Sequence, residues 1–341
     1  MTAVKAHTAM DELGDDGAFV RTAAGFREWI SDSHPSFKPE KDRYHLYVSW
    51  GCPWASRCAA VRSLKGLEDV IGLSVVHPTM QETRPGKDEH RGWAFKNPGD
   101  APVKSAWGMG EFPCDDSLIP DTMRFIRDLY EKAGDTLGKY SVPVLWDKKL
   151  KTIVNNESSE IVQMFNSNFQ SLCAKPEVDL NPETLKEAQA ALDEWIYPNI
   201  NNGVYRCGFA RKQKPYDEAV KGLYEALDKA EGILSKQRYL CGDKLTLMDL
   251  KLFMTLVRFD EVYVVHFKCN VKRIADYPNL LGFTREIFQI PEVQKCCNLW
   301  HIRTHYYTSH ETINPMALVP AGPGVEEDLK KPHGRDHLGK V

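Results

Sequence analysis

Long hydrophobic runs are missing from this sequence of 341 residues. No stretch approaches the roughly 20 apolar residues that a membrane-spanning helix needs. An excess of charge of one sign is missing too, because 44 Lys and Arg residues face 47 Asp and Glu residues and leave a formal net charge of -3. Such a balance gives no basic field for nucleic acid and no polybasic patch for lipid. We therefore expect neither a nucleic-acid partner nor a membrane partner. We expect the protein to act on small molecules.

The first 20 residues lack an apolar run and an Arg-rich amphipathic pattern, which predicts neither a secretory signal nor a transit peptide. The nine cysteines are an odd number and are scattered along the chain. Without a sign of secretion, reduced thiols in the cytoplasm are the simplest account. The adjacent Cys296 and Cys297, with His301 and His305 nearby, lack the usual spacing of zinc ligands, so we expect no metal.

The chain is about two average domains long, and its 42% apolar residues can form a sizeable core. Its first half predicts the order β, α, β, α, β, β, α, with strands at residues 44–48, 70–76, 142–146 and 152–154. Helices are predicted to begin after Cys52, at Asp121 and near Glu157. The polar stretch from Pro78 to Pro120 is too long for a simple connection, which indicates a functional loop or insert.

Past Leu180 only helical patterns remain. Apolar residues repeat at helical spacing from Leu185 to Trp195 and from Val220 to Leu234. The stretch from Thr246 to Tyr263 is apolar nearly all round, and Thr246 and Asp249 form a capping-box pattern at its start. The predicted fold class is an α/β thioredoxin-like N-terminal domain followed by an all-α C-terminal domain. The predicted boundaries are an arm at 1–40, the thioredoxin-like domain at 41–172, the all-helical domain at 180–322 and a tail at 323–341.

Cys52 alone among the cysteines directly follows a predicted strand and precedes a predicted helix, with Pro53 suited to the first helical turn. The N–H groups and dipole at a helix start favour a thiolate, and such sites lower a cysteine pKa from about 8.5 to about 3.5–7.5. The alternative is a buried structural thiol. The third residue after Cys52 is Ala55, so no Cys-x-x-Cys pair exists and a reactive Cys52 needs an external thiol. Cys58 is predicted to point away into the core.

Two later features have both a functional and an ordinary explanation. Val142 precedes Pro143 at the start of a strand, where a cis bond would expose the Val142 backbone to an extended peptide, whereas a trans bond is more common. Glu157 and Ser158 open a helix and can either bind a carboxylate or simply cap that helix. The thiol, the proline and the helix-opening Glu-Ser pair occur in this order along one predicted βαβαββα arrangement. Together, these three features predict a glutathione site.

From about Tyr44 to Pro323, the sequence resembles the glutathionyl-hydroquinone reductases, which are the Xi class of glutathione transferases. Cys-Pro-Trp is shared with other thiol transferases, whereas the later segments are more specific. The segments that carry the resemblance are Trp50–Ala55, Gly92–Phe95, Val142–Asp147, Asn156–Ile161, Asn201–Tyr205, Leu256–Asp260, His266–Asn270, His305–Tyr307 and Ile313–Pro315. One departure is Ser56, at a position where many members have His.

The resemblance implies the glutathione transferase fold, glutathione as co-substrate, a homodimer and Cys52 as the nucleophile. It further implies a glutathione pocket lined by Trp93, Arg127, Val142, Glu157 and Ser158. Tyr197 and Tyr306 would face an aromatic substrate from the helical domain. Their ordinary alternative is a buried tyrosine whose hydroxyl is satisfied locally.

The implied reaction reduces a glutathionyl-hydroquinone through a mixed disulfide on Cys52. One alternative is an omega-like thiol transferase or dehydroascorbate reductase that shares Cys52 and the glutathione site. Another is a non-catalytic transferase-fold module that scaffolds a complex and has no need of a reactive thiol. A transferase that conjugates glutathione is disfavoured, because such enzymes stabilise the bound thiolate with Ser or Tyr.

Overall fold

The computed structural model describes residues 5–114 and 123–339. The chain forms two compact units, each assembled from more than one stretch of sequence. The first comprises Met1–Glu12, Arg21–Val178 and Trp300–Val319, and the second comprises Leu13–Val20, Asp179–Leu299 and Pro320–Val341. Their main boundary, after Val178, falls within the interval at which the sequence changes from mixed to helical patterns.

A four-stranded mixed sheet forms the centre of the first unit. Its strands are β1 (Tyr44–Val48), β2 (Gly72–Val75), β7 (Val144–Asp147) and β8 (Thr152–Asn155). The spatial order is β2-β1-β7-β8, in which β1 and β2 are parallel and the other pairs are antiparallel. Parallel strands need a crossover, and helix α1 (Pro53–Leu64) supplies it between β1 and β2. The predicted βαβαββα order is confirmed.

Helices cover this sheet with apolar and small residues. Every residue of α1 except Trp54 is buried, and α1 contacts α3 (Ser158–Ser167). At the end of the sheet opposite the start of α1, the guanidinium of Arg43 donates to the buried Asp147 carboxylate at 2.5 Å. Because α1 packs against α3, the first turns of the two helices lie close together.

The polar stretch after β2 contains two small antiparallel ribbons. The first pairs β3 (Gln81–Glu82) with β4 (Arg91–Gly92), and the second pairs β5 (Asp100–Val103) with β6 (Phe112–Cys114). The expected insert is therefore partly regular structure.

Helix α2 follows the insert and spans Ile126–Lys132. The sequence predicts a start at Asp121; residues 121 and 122 lie outside the described residues, and residues 123–125 are not helical. The Asp128 carboxylate accepts hydrogen bonds from the backbone N–H groups of Arg124 and Phe125, at 2.8 and 2.9 Å, and so caps the helix at this later position.

The predicted N-terminal arm is largely irregular but is bound to the body of the protein over its described residues. The N–H of Phe26 donates to Asn156 Oδ1 at 3.0 Å, and Arg27 bridges to Asn155 in the manner of a short strand. Ile30 is fully buried in the first unit. Residues 1–4 of the arm, like residues 340 and 341 of the tail, lie outside the described residues.

The stretch Trp300–Val319 belongs to the first unit, whereas the sequence analysis placed it in the helical domain. Except for its first residue, helix α10 (Leu299–Ser309) lies in this stretch. Its Ser309 hydroxyl accepts a hydrogen bond from the N–H of Met80 at 3.1 Å and donates to the carbonyl of Pro78 at 3.3 Å. These bonds, which no local sequence pattern specifies, connect α10 to the insert after β2.

Within the described residues, the second unit is helical. Its helices are α4 (Lys186–Ile196), α5 (Gly203–Phe209), α6 (Gln213–Leu234), α7 (Leu247–Arg258), α8 (Pro278–Phe288), α9 (Pro291–Gln294) and α11 (Glu326–Leu329). The capping box predicted before α7 is confirmed, because Asp249 accepts hydrogen bonds from the Thr246 N–H and hydroxyl at 2.8 and 2.7 Å. The apolar stretch that follows leaves α-helical geometry after Arg258 and ends as a π-helical turn at Phe259–Tyr263.

Among the described residues, no helix is long and apolar enough to cross a membrane.

Candidate active site

The thiol of Cys52 lies at the start of α1. Cys52 is the N-cap residue in extended conformation, Pro53 follows in the first turn, and the Cys52 carbonyl accepts the first helical hydrogen bond from the N–H of Ser56 at 3.0 Å. The side chain is partly exposed, and its Sγ lies 3.6 Å from the carbonyl oxygen of Val142. The thiol is therefore accessible at the end of α1 where the helix dipole favours an anion.

Cys58 is the contrasting thiol on the same helix. It is completely buried, and its Sγ lies 3.3 Å from the carbonyl of Trp54 and 3.7 Å from the carbonyl of Ser158. Burial strongly raises the pKa of this thiol. The interpretation of Cys58 as a core residue is confirmed, and its protonated thiol is a poor nucleophile.

Ser56, which departs from the family pattern, is buried beside these thiols. Its hydroxyl donates to the carbonyl of Trp50 at 3.3 Å. The side chain therefore helps to hold the turn that connects β1 to α1.

Val142 is joined to Pro143 by a cis peptide bond, which is the less common of the two geometries that the sequence left open. Its carbonyl is the group that approaches Cys52 Sγ. Val142 thus lies beside the thiol, on the chain entering β7.

The start of α3 is held by capping and by α1. The Glu157 carboxylate accepts from the N–H of Ser159 at 2.9 Å and from its hydroxyl at 2.8 Å, which is the ordinary capping role. The hydroxyl of Ser158 accepts from Arg57 Nη2 at 2.6 Å, and both side chains are buried. Nε of the same guanidinium is buried without a hydrogen-bond partner. A fixed positive charge therefore lies at the N-terminus of α3, where the helix dipole also favours an anion.

Trp93 lies against His305 of α10, with ring centroids 4.4 Å apart and an interplanar angle of 30°. The same imidazole lies against Gly51, the residue before the thiol: a Cβ added at Gly51 would come within 2.6 Å of His305 Cβ. His305 therefore connects the Cys52 turn with Trp93, a contact that requires glycine at position 51.

The orientation of the His305 ring is fixed by a hydrogen bond. Its Nδ1 lies 3.0 Å from the carbonyl oxygen of Pro78. Because a carbonyl only accepts, Nδ1 carries the hydrogen and donates. The neutral ring is thus the tautomer with an unprotonated Nε2.

Arg127, a predicted glutathione-site residue, is engaged by acidic neighbours. Its guanidinium pairs with Asp88 at 2.7 Å and with Glu131 at 2.6 Å, and it donates to Thr83 Oγ1 at 3.1 Å. Burial opposes the charge, but these hydrogen bonds outweigh it and raise the pKa of Arg127. In this structure Arg127 ties α2 to the insert.

The two predicted substrate tyrosines lie in different units. Tyr306 is buried on α10 in the first unit and packs against the rings of His305 and His310 at centroid distances of 5.2 and 5.5 Å. This differs from the expectation that it projects from the helical domain. Tyr197 is half-buried in the second unit, at the start of a π-helical turn.

Of the predicted site residues in the first unit, the structure brings Cys52 close to Val142, and it connects α1 to the start of α3 through Arg57 and Ser158. Sequence reasoning did not single out Arg57 or the stacking role of His305. The only sequence signal for His305 was its place in the His-Tyr-Tyr segment, and Arg57 had none, because its partner is far away in the chain.

No group of three or more His, Cys, Asp or Glu side chains with the arrangement of a metal site occurs among residues 5–114 and 123–339.

Two family models match the chain. One, described as "Glutathione S-transferase, N-terminal domain", matches residues 51–168, and the other, described as "Glutathione S-transferase, C-terminal domain", matches residues 213–286. They cover the Cys52 turn, the start of α3 and much of the helical unit.

Two similar proteins extend this match to nearly the whole chain. The glutathionyl-hydroquinone reductase YqjG of Escherichia coli is 46% identical over 337 residues, with 96% of this chain and 95% of the relative covered. Its glutathione-bound structure has a TM-score of 0.80, at 44% identity and with 92% of this chain and 96% of that chain covered. The Xi glutathione S-transferase of Phanerochaete chrysosporium has a TM-score of 0.82 at 47% identity, with 92% and 95% covered.

Proposed function

The chain belongs to the glutathionyl-hydroquinone reductases, the Xi class of glutathione transferases, and on that premise we propose that it reduces glutathionyl-hydroquinones with glutathione through Cys52. The observation that carries this proposal is the partly exposed Cys52 thiol at the start of α1, 3.6 Å from the Val142 carbonyl.

In the first step the Cys52 thiolate attacks the sulfur of the glutathionyl group. The S–S bond of a Cys52–glutathione mixed disulfide forms, and the bond between that sulfur and the ring carbon breaks. The electron pair of the broken bond stays on the ring carbon, which takes up a proton. The two sulfurs are oxidised to a disulfide, and the aromatic product is reduced to the hydroquinone.

In the second step a glutathione thiolate attacks the glutathione sulfur of the mixed disulfide. Glutathione disulfide leaves, and the Cys52 thiolate is regenerated. Because the hydroquinone departs before the second glutathione enters, we expect ping-pong kinetics.

A glutathione that is bonded to Cys52 would lie close to the backbone of Val142, because the Val142 carbonyl lies 3.6 Å from the thiol sulfur. Backbone pairing at Val142 suits an extended peptide. The start of α3, with Glu157, Ser158 and the buried charge of Arg57, suits the carboxylate of glutathione. These contacts support the assignment of Val142, Glu157 and Ser158 to the glutathione pocket.

Trp93 and Arg127 are the other two residues that we assign to the glutathione pocket, and different contacts support each of them. Trp93 is supported by His305, which contacts both its ring and the Gly51 turn. Arg127 pairs with Asp88 and Glu131, so its contribution is to hold the insert in place around the pocket.

An aryl thioether is a poor target for a thiolate unless an acid protonates the ring carbon or supports its keto tautomer. We assign this role to Tyr197 and Tyr306, following the family resemblance, because a phenol can donate a proton or a hydrogen bond to the substrate.

The test is an assay of the purified protein, with glutathione, against a glutathionyl-hydroquinone and against dehydroascorbate, followed by product analysis. We expect hydroquinone and glutathione disulfide. Turnover of dehydroascorbate alone would indicate an omega-like reductase, and no reaction of either would refute a catalytic function.

The tyrosines are tested by replacing each with Phe, which removes one hydroxyl and keeps the ring. The kcat/KM for the glutathionyl-hydroquinone should fall by roughly ten- to ten-thousand-fold, the range between one hydrogen bond and full acid catalysis. Exchange with a small glutathione mixed disulfide should persist, because that reaction needs no ring protonation. Loss of both activities would instead assign the tyrosines a structural role.

The proposal includes a homodimer working in the cytoplasm. All nine cysteines are in the thiol form, which suits a reducing compartment. Light scattering of the purified protein measures its mass, and a monomeric mass at micromolar concentration would contradict the dimer.

A further inference from the structure

A buried lysine lies over the ring of Tyr197. The Nζ of Lys251 is 4.7 Å from the centre of that ring, and 8% of the lysine surface is exposed. The same ammonium pairs with the carboxylate of Asp193 on α4. All three residues belong to the second unit.

The backbone around Tyr197 is held against α7, the helix that carries Lys251. Pro198 has no N–H to continue an α-helical ladder, and the chain instead makes a π-helical turn, closed by the Asn202 N–H donating to the Tyr197 carbonyl at 2.8 Å. In the same turn Asn201 Nδ2 donates to the Lys251 carbonyl and to Thr255 Oγ1, each at 2.8 Å. The phenol and the ammonium are therefore positioned by one connected set of contacts.

We propose that Lys251 is a positioning residue for Tyr197, whose ammonium holds the ring and favours release of the phenolic proton to the substrate. This inference rests on the proposed function, in which Tyr197 protonates the aromatic group. When the proton moves to the ring carbon, a phenolate remains on Tyr197, and a positive charge at this distance stabilises the anion more than the neutral phenol. A proton from solvent restores the phenol before the next turnover.

The surroundings of Lys251 suit this role. A cation over an aromatic face is attracted by the ring quadrupole, and it is attracted more strongly when the ring carries a negative charge. Asp193, whose side chain is 43% exposed, pairs with the ammonium of the buried lysine. Water near Asp193 screens the carboxylate more than the buried ammonium, so the positive charge dominates at the ring.

The chain provides a matched control at Trp195 of α4, two residues before Tyr197. Lys229 lies 4.2 Å from the ring centre of Trp195, so it makes the same kind of contact with an aromatic ring that has no acidic hydroxyl. Replacing Lys229 with Met removes a cation from an aromatic face without affecting a proton donor.

The experiment compares Lys251→Met, Lys251→Arg, Lys229→Met, Tyr197→Phe and the double variant Lys251→Met/Tyr197→Phe. Each is assayed with a glutathionyl-hydroquinone and with a small glutathione mixed disulfide, and its Tm is measured. Lys251→Met should lower kcat/KM for the hydroquinone substrate about ten-fold, through kcat, with the glutathione KM unchanged. Lys251→Arg should restore most of the loss, and Lys229→Met should have no effect.

The double variant decides whether Lys251 acts through Tyr197. If it does, adding Lys251→Met to Tyr197→Phe changes the rate by less than about two-fold. Multiplicative losses, an equal loss of disulfide exchange, or an inert Lys251→Met would each overturn the inference while leaving the reductase function intact. A wild-type protein that exchanges disulfides but does not reduce glutathionyl-hydroquinone would overturn the proposed function and this inference together.

Discussion

Replacement of Gly51 by Ala tests whether α10 positions the nucleophile. The added Cβ would lie 2.6, 2.7 and 2.8 Å from Cβ, Cγ and Cδ2 of His305, distances that real Cβ atoms do not adopt. The imidazole is restrained, because it packs against Trp93 with ring centroids 4.4 Å apart and donates to the Pro78 carbonyl at 3.0 Å. The backbone of the Gly51–Cys52 turn must move instead.

Two effects should follow, and their sizes can be estimated. Overpacking of this kind costs about 1–3 kcal/mol of the free energy of unfolding. In a unit of this size each kcal/mol corresponds to about 2–4 °C, so the Tm of the first unit should fall by roughly 2–12 °C. Displacement of the thiol should lower kcat/KM about ten- to a hundred-fold, because errors of up to about 1 Å in the placement of a reacting group cost that much.

Calorimetry and steady-state assays measure both effects, and Gly232→Ala in α6 is the control. A Cβ at Gly232 meets nothing within 4 Å, so alanine there should raise the free energy of unfolding by about 0.5–1 kcal/mol and leave the rate unchanged. A Gly51→Ala protein with the wild-type Tm and rate would refute the argument that His305 fixes the Cys52 turn.

Three further predictions concern the thiols and the buried histidines. Cys52→Ala should abolish glutathionyl-hydroquinone turnover while Cys58→Ala keeps most of it, and equal losses would contradict the single-thiol mechanism. Alkylation of Cys52 by iodoacetamide should have a pH midpoint below the free-thiol value of about 8.5, whereas buried Cys58 should react only on unfolding; a Cys52 midpoint at or above that value would indicate an inert thiol. Burial lowers the pKa of His90 to about 4 and of His301 to about 3, so the unfolded chain, with histidine pKa values near about 6.5, takes up protons first on acidification. The contribution of these histidines to the free energy of unfolding of the first unit should therefore be fully present above about pH 6.5. It should decrease as the pH drops towards 4, by up to about 1.4 kcal/mol per pH unit for each histidine. Equal free energies of unfolding in urea at pH 7 and pH 5 would contradict this.

The predictions from sequence succeeded where the determining interactions are local. Around Cys52, the local sequence alone predicts a strand, a turn and a helix. A run of β-forming residues precedes Cys52 and Pro53, and residues suited to a helix follow them. Thr246 and Asp249 are three residues apart and form their capping box within one helical turn. Cys58 is buried because its position on α1 turns it away from the exposed thiol.

Other features depend on residues far apart in the chain. The sequence left the geometry of the Val142–Pro143 bond open, and it gave no sign that Arg57 reaches Ser158. It placed Trp300–Val319 with the helices, because a helical pattern shows that a helix forms and not which unit it joins.

Local patterns in the sequence were enough to predict the succession of strands and helices, the position of Cys52 at the start of α1 and the family. Contacts between distant segments place His305 against Gly51 and Trp93, Arg57 at the start of α3, and Lys251 over the ring of Tyr197, and no local pattern predicted them. Local patterns report the conformational preferences of neighbouring residues, whereas these contacts exist because the burial of distant apolar surfaces brings separate segments together.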